Sequence, residues 1–310
     1  MELLEKLCSI RATSGDESAM TEFVLNYVKE NSPNWLVKPQ VLHGEGFQDA
    51  IILVFGKPRT AIFAHMDSIG YAVRYGKNLV RIGGPRGATG WKLVGKDSKG
   101  EIECTLRAKW LWDDGNKKEE LKYRFDRKID RGTCLTFKPN FRNKDNTVQS
   151  PYLDDRLGVL NALRVAETLE DGIIVFSTYE EAGGGSVQFL ARYIQEKYKV
   201  SKALISDITL ANDTIKPKKG VAISMRDKGI PRQSFVRKII AIAEKHKIPY
   251  QLEVDDAGGS DGTVLQQSSG VWDWCFIGPP EKNYHTPDEK VWKVDIKAMN
   301  DLYKVLMKTL

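Results

Sequence analysis

A strand–helix alternation runs through this 310-residue chain and is interrupted once, by about eighty residues of a different texture. Ahead of the interruption, "AIILVF" (50–55) and "AIFA" (61–64) lack polar alternation, which predicts strands buried on both faces. Behind it, helical spacing over 156–169, over 187–197 and from Ser234 onward alternates with the apolar runs "GIIVFSTY", "KALISDI" and "WCFIG". A closing helix puts Ile296, Met299, Leu302, Tyr303 and Leu306 on one face. Between 71 and 150 the runs are short, partly alternating and separated by Gly, Asp, Asn and Lys turns, as in "YAVRY", "EIECTLRAKW" and "LKYRFDR". The expected architecture is α/β, with a doubly wound, mostly parallel sheet and helices on both faces. Residues 1–69 and 151–310 would form it, and 70–150 would be an inserted small all-β domain.

Local signals add detail. Ser14 and Glu17 precede the stripe Met20, Phe23, Val24, Tyr27 and Val28, which predicts a capping box at the start of an amphipathic helix. The glycine-rich run "RIGGPRGATG" (81–90) is not framed by a strand-to-helix transition, so it reads as a loop and not a phosphate cradle.

Composition narrows the classes. Hydrophobic residues at 41% and charged residues at 28% describe an ordinary globular protein. No uninterrupted apolar run approaches the about 18 residues of a membrane span, and "MELLEKLCSI" has no signal-peptide pattern. The net charge of +6 is spread along the chain with no basic block alternating with aromatics, which argues against a nucleic-acid partner. Cys8, Cys104, Cys134 and Cys275 are scattered, as expected for free thiols in a reducing cytoplasm.

In an open α/β sheet, reactive groups sit beyond the carboxyl ends of the strands. After "AIFA" come His65 and Asp67; after "GIIVFSTY" come Glu180 and Glu181; after "KALIS" comes Asp207; and after "WCFIGPPEKNY" comes His285. Asp154 and Asp155 stand before the helix that follows the interruption. Taken singly, each has an ordinary reading: a solvated turn, a helix cap, a polar residue closing a loop. Taken together on one sheet edge, they form a nitrogen-and-oxygen donor set without thiolate. That set suits two divalent ions such as Zn²⁺, Co²⁺ or Mn²⁺, bridged by one carboxylate. The glutamate doublet reads as extended chain, in which adjacent side chains point opposite ways, so one binds metal and its neighbour moves a proton. His65 and Asp67, two apart, point the same way, and Asp67 would hold the imidazole.

With "SGDE", "HMDSIG", "LDDRLG", "EEAGGGS", "SDITLAND", "IPYQLEVDDAGGSDGT" and "YHTPDEKV" in this order, the chain resembles the tetrahedral aminopeptidase family. These are co-catalytic metallo-aminopeptidases that include glutamyl and deblocking enzymes, sometimes labelled endoglucanases. The resemblance implies His65 and Asp207 as terminal ligands of one metal, Glu181 and His285 of the other, and Asp154 as the bridge. It implies Glu180 as general base with Asp67 in support, a PDZ-like insertion, and a homo-oligomer from dimer up to dodecamer. The chain departs from the pattern at Lys282-Asn283-Tyr284 ahead of His285 and at Trp272 in "SGVWDW".

The expected activity is removal of N-terminal residues from peptides by a cytoplasmic enzyme with two divalent metal ions per chain, zinc foremost. Two alternatives are a carboxypeptidase or amide deacylase on a related dinuclear fold, and a non-catalytic binding scaffold. The first is disfavoured by an insertion that reads all-β, the second by a complete set of ligands and base.

Overall fold

The computed structural model describes residues 1–113 and 116–310. Its main sheet has eight strands, in the spatial order Gln40–Leu42, Ile51–Phe55, Gly172–Ser177, Ala61–His65, Lys202–Ser206, Asp273–Gly278, Val221–Arg226 and Tyr250–Val254. The four central strands, from Gly172–Ser177 to Asp273–Gly278, run parallel. Ser177 stands opposite His65 and Ser206 opposite Ile277, so their carboxyl ends emerge along one edge.

Four of the seven pairings in this sheet are parallel, in keeping with the expected mostly parallel sheet, and the antiparallel ones lie at its flanks. Ile51–Phe55 runs antiparallel to Gly172–Ser177, and Val221–Arg226 antiparallel to Asp273–Gly278, which makes the sheet mixed. For Ile51–Phe55 the link 56–60 shows why. A parallel crossover needs a dozen or more residues, so a link this short forces Ile51–Phe55 to run opposite to Ala61–His65. The strand Tyr250–Val254 went unmarked in the sequence because it lies at an edge and exposes Leu252 and Val254.

Strand residues alternate between two apolar layers. Ile62, Ala64, Ile174, Phe176 and Leu204 pack with the helices Leu153–Ala166, Gln233–Lys245 and Lys293–Thr309. Ala61, Phe63, Ile173, Val175 and Ile205 pack with the helix Val187–Tyr198 on the other face. Trp272 belongs to this second layer, edge-on to Phe63 at 6.0 Å between ring centroids. Helices therefore cover both faces, and the carboxyl edge of the central strands is left open to a cavity.

A second, six-stranded sheet is antiparallel throughout, in the order Leu79–Ile82, Gly70–Val73, Cys134–Phe137, Lys92–Asp97, Gly100–Asp113 and Asn116–Arg124. It has its own core around Tyr71, Leu93, Leu106, Leu135 and Phe137. The strands Arg142–Lys144 and Thr147–Gln149 join Lys290–Trp292 instead, next to the last candidate ligand in sequence.

The expected capping box does not form. The helix Ser18–Asn31 begins after Glu17 with no side-chain cap hydrogen bond. Ser14 and Glu17 turn inward: Ser14 Oγ donates to Asp67, and Glu17 Oε1 accepts from the Tyr179 amide. A buried carboxylate offers the Ser14 hydroxyl a stronger, charge-assisted bond than a helix amide does.

Candidate metal centre

Each expected side chain is delivered to the open edge by the end of an element. His65 is the last residue of its strand, and Asp207 follows Lys202–Ser206 directly. Asp154 lies in the first turn of Leu153–Ala166, and its peptide bond to Asp155 is cis. Glu180 and Glu181 occupy a turn beyond Gly172–Ser177, and His285 follows the short strand Pro280–Glu281.

These residues converge as two clusters that share Asp154. Donor atoms of His65, Asp154 and Asp207 lie within 4.8 Å of one another, and so do those of Asp154, Glu181 and His285. His65 Nε2 is 3.1 Å from Asp154 Oδ1 and 3.8 Å from Asp207 Oδ2. His285 Nε2 is 3.4 Å from Asp154 Oδ2 and 3.7 Å from Glu181 Oε1. The two oxygens of one carboxylate thus face two different imidazoles.

The protonation of His285 follows from its other nitrogen. Nδ1 lies 2.9 Å from the Gly84 carbonyl oxygen, which only accepts, so Nδ1 carries the proton and donates. The Nε2 of a neutral His285 then presents a lone pair to Asp154 and Glu181. Lone pair against carboxylate is repulsive unless a proton or a metal cation lies between them; burial pulls the imidazole down, but Asp154 outweighs that and raises it. Glu181 Oε1 is buried without a hydrogen-bond partner, and among the described residues no Lys or Arg pairs with Asp154, Glu180, Glu181 or Asp207. The donor set therefore fits divalent cations.

Charge and burial act together here. Burial raises the Asp207 carboxyl, and the neighbouring Asp154 raises it further, to about 7. Burial also holds Glu180 and Glu181 well above the ordinary carboxyl range. Burial pulls His65 down, but its contacts with Asp154 and Asp67 outweigh that and leave it well above the ordinary imidazole value. Close carboxylates without a counter-charge favour protons, and cations compete for the same sites.

Asp67 has a broader role than holding His65. Its Oδ1 is 3.4 Å from His65 Nδ1, longer than an ordinary hydrogen bond. Its shorter contacts are with Ser14 Oγ at 2.6 Å and with the amides of Glu180 at 3.0 Å and Glu181 at 3.1 Å. Asp67 thus fixes the backbone of the glutamate doublet. That doublet is a turn, closed by Gly183 N donating to Glu180 O, and not the extended chain expected. Its two side chains still part company: Glu180 Oε2 is 3.9 Å from His65 Nε2, whereas Glu181 faces His285.

Other supports escaped the sequence reading. The 81–90 loop is a loop as expected, but its glycines press on the site. A Cβ on Gly83 would come 2.7 Å from Glu181 Oε2, and one on Gly84 would come 2.9 Å from His285 Nδ1. Ser260 Oγ donates to Asp207 Oδ2 at 2.7 Å, and Glu289 accepts from the amides of Asp154 and His285 at 3.3 and 3.1 Å. A cavity of about 490 Å³ opens over the cluster; Tyr284 lines it, whereas the departing residues Lys282 and Asn283 do not.

Comparison with known proteins agrees with this geometry. A protein of Acetivibrio thermocellus, named as a candidate aminopeptidase, is 27% identical over 340 aligned residues, spanning 100% of this chain and 98% of that one. An aminopeptidase from the archaeon Desulfurococcus kamchatkensis shares the fold with a TM-score of 0.86 at 22% identity, covering 100% of this chain and 94% of that one. The TET1 peptidase of Pyrococcus horikoshii, described as assembling into a tetrahedron or a large octahedral shell, superposes with a TM-score of 0.82 at 22% identity. Coverage there is 100% of this chain and 99% of the other. The model of the M42 glutamyl aminopeptidase family matches residues 111–302, more than half of the sequence, and the chain belongs to that family.

Proposed function

We propose that this peptidase is a metal-dependent aminopeptidase that holds two divalent ions per chain, zinc foremost, with cobalt or manganese as alternatives. The observation that carries the reading is the sharing of Asp154, whose two oxygens face His65 and His285 respectively. His65 and Asp207 would hold one ion, Glu181 and His285 the other, and Asp154 would bridge them. When bound, such a pair supplies Lewis acidity toward the scissile carbonyl and lowers the pKa of water.

The chain's own groups supply the rest. Glu180 is the general base: it takes a proton from the attacking water and delivers it to the departing amine. It lines the cavity, and burial, only partly offset by His65, favours its protonated form once the proton is taken. Asp67 keeps Glu180 and Glu181 in place through their amides, so that one moves a proton while the other faces His285. The catalytic unit is then residues 1–69 with 151–310, and the unit at 70–150 lends it the Gly83–Gly84 loop. Substrates are peptides with a free N-terminus.

We further propose a homo-oligomer of at least two chains, in line with the assemblies described for the Pyrococcus horikoshii peptidase. Among the described residues no helix is long and apolar enough to cross a membrane.

The test of the activity is hydrolysis of a panel of aminoacyl and N-blocked peptides, with and without added Zn²⁺, Co²⁺ or Mn²⁺. The reading predicts release of N-terminal residues that strong chelation abolishes. Hydrolysis of C-terminal residues only, or full activity in excess chelator, would overturn it.

A further inference from the structure

The cavity extends past the candidate ligands to the ends of the strands Val221–Arg226 and Tyr250–Val254, where Asp227, Glu253 and Asp255 line it. Among the described residues the only Lys or Arg of that lining is Lys228, which is solvent-exposed. Asp227 and Glu253 are each only 7% exposed. Glu253 accepts from the Thr209 hydroxyl, and Asp227 from the Gly229 amide. Among the described residues neither forms an ion pair. Elsewhere this chain partners comparable carboxylates: Arg127 covers Asp97, and Arg232 covers Asp273.

Two carboxylates more than nine-tenths buried, without a cation and opening on a substrate cavity, are costly unless a cationic ligand meets them. Ser224, in register with Glu253 on the neighbouring strand, places a second buried hydroxyl beside that carboxylate. Burial raises both carboxyls from their ordinary values, as it does for acids lacking a counter-charge. Two divalent ions would balance Asp154, Glu180, Glu181 and Asp207, leaving three wall carboxylates against Lys228. Leu210, Val264 and Phe276 line the same cavity and suit the methylenes of a long side chain. Thr209, which holds Glu253, is two residues from Asp207, so the acidic wall adjoins the reacting end of the cavity.

We infer that the cavity selects peptides whose N-terminal side chain is cationic, lysine or arginine, with Glu253 as the main specificity-determining residue and Asp227 and Asp255 supporting it. The inference rests on the aminopeptidase reading and names its substrate class. A glutamate side chain would meet like charge in this wall.

The test compares kcat/KM for lysyl, arginyl, leucyl and glutamyl nitroanilides on the metal-loaded enzyme. In parallel, calorimetry measures binding of L-lysine against L-norleucine, which lacks the ε-ammonium. The lysyl-to-leucyl ratio should exceed about ten and fall at least about tenfold in Glu253→Gln, which keeps an acceptor for Thr209. Asp255→Asn, at a half-exposed position, should lower the same ratio less and guards against a misfolded first variant. Lysine should bind more tightly than norleucine in the wild type and lose that advantage in Glu253→Gln. A wild type preferring leucyl or glutamyl substrates, or a ratio unchanged in both variants, would overturn the inference and leave the aminopeptidase reading standing. Failure to cleave any panel member would sink the activity reading, and equal binding of lysine and norleucine would still overturn the selectivity.

Discussion

Replacing Gly84 by alanine tests whether the six-stranded sheet completes the metal centre. Gly84 does not have a positive φ, so alanine adds no backbone strain there. Its Cβ would stand 2.9 Å from His285 Nδ1 and 3.2 Å from Cε1, whereas ordinary contact begins near 3.4 Å. The imidazole must therefore retreat by about 0.5 Å, the difference between 3.4 and 2.9 Å. That exceeds the roughly 0.2 Å tolerance of metal–ligand distances and stretches the 2.9 Å bond to the Gly84 carbonyl. Disturbing such an orienting partner typically weakens metal affinity about 10–100-fold. The site built on Glu181 and His285 should lose that much, while the site built on His65 and Asp207 keeps its affinity. Titrating the metal-free protein with Zn²⁺ in a calorimeter reads both sites. Two sites of wild-type affinity in Gly84→Ala would refute the claim that this loop orients His285.

Three other perturbations probe separate links. Glu180→Gln keeps size and shape, so both metals should remain while turnover falls about 10²–10⁴-fold; Glu181→Gln should instead lose metal from one site. Metal content measured beside activity decides, and the reverse pattern would exchange the two roles. Ser14→Ala removes the 2.6 Å bond to Asp67 and should lower metal affinity about tenfold, so unchanged affinity would show that Ser14 does not support the site. Tyr303→Phe leaves the carbonyls of Ile205 and Ile277 without their buried hydroxyl donor and should cost about 1–3 kcal/mol of stability. An unchanged melting temperature would contradict that.

The residues that gather at the sheet edge were legible because strand ends are legible. Apolar runs mark where a buried strand stops, and His65, Glu180, Glu181, Asp207 and His285 all stand just past such a stop. What stayed hidden depends on contacts between distant segments or on backbone atoms. The Gly84 carbonyl has no side chain to advertise it, and it meets His285 only because the second sheet folds back over the first. Ser14 and Glu17 matched a local capping pattern, but their partners, Asp67 and Tyr179, are remote in sequence. The turn at Glu180-Glu181 was misread as extended because its closure depends on Asp67 holding both amides. The direction of Ile51–Phe55 was set by the length of the 56–60 link and not by any apolar pattern.

The central claim is that Asp154 bridges two divalent ions, one beside His65 and Asp207 and one beside Glu181 and His285. Anomalous diffraction at the zinc edge from crystals of zinc-loaded protein tests it most directly. Two peaks about 3.5–4 Å apart, each next to one oxygen of Asp154, are the predicted result. A well-ordered cluster with no peak, or with a single peak that does not touch Asp154, would contradict it.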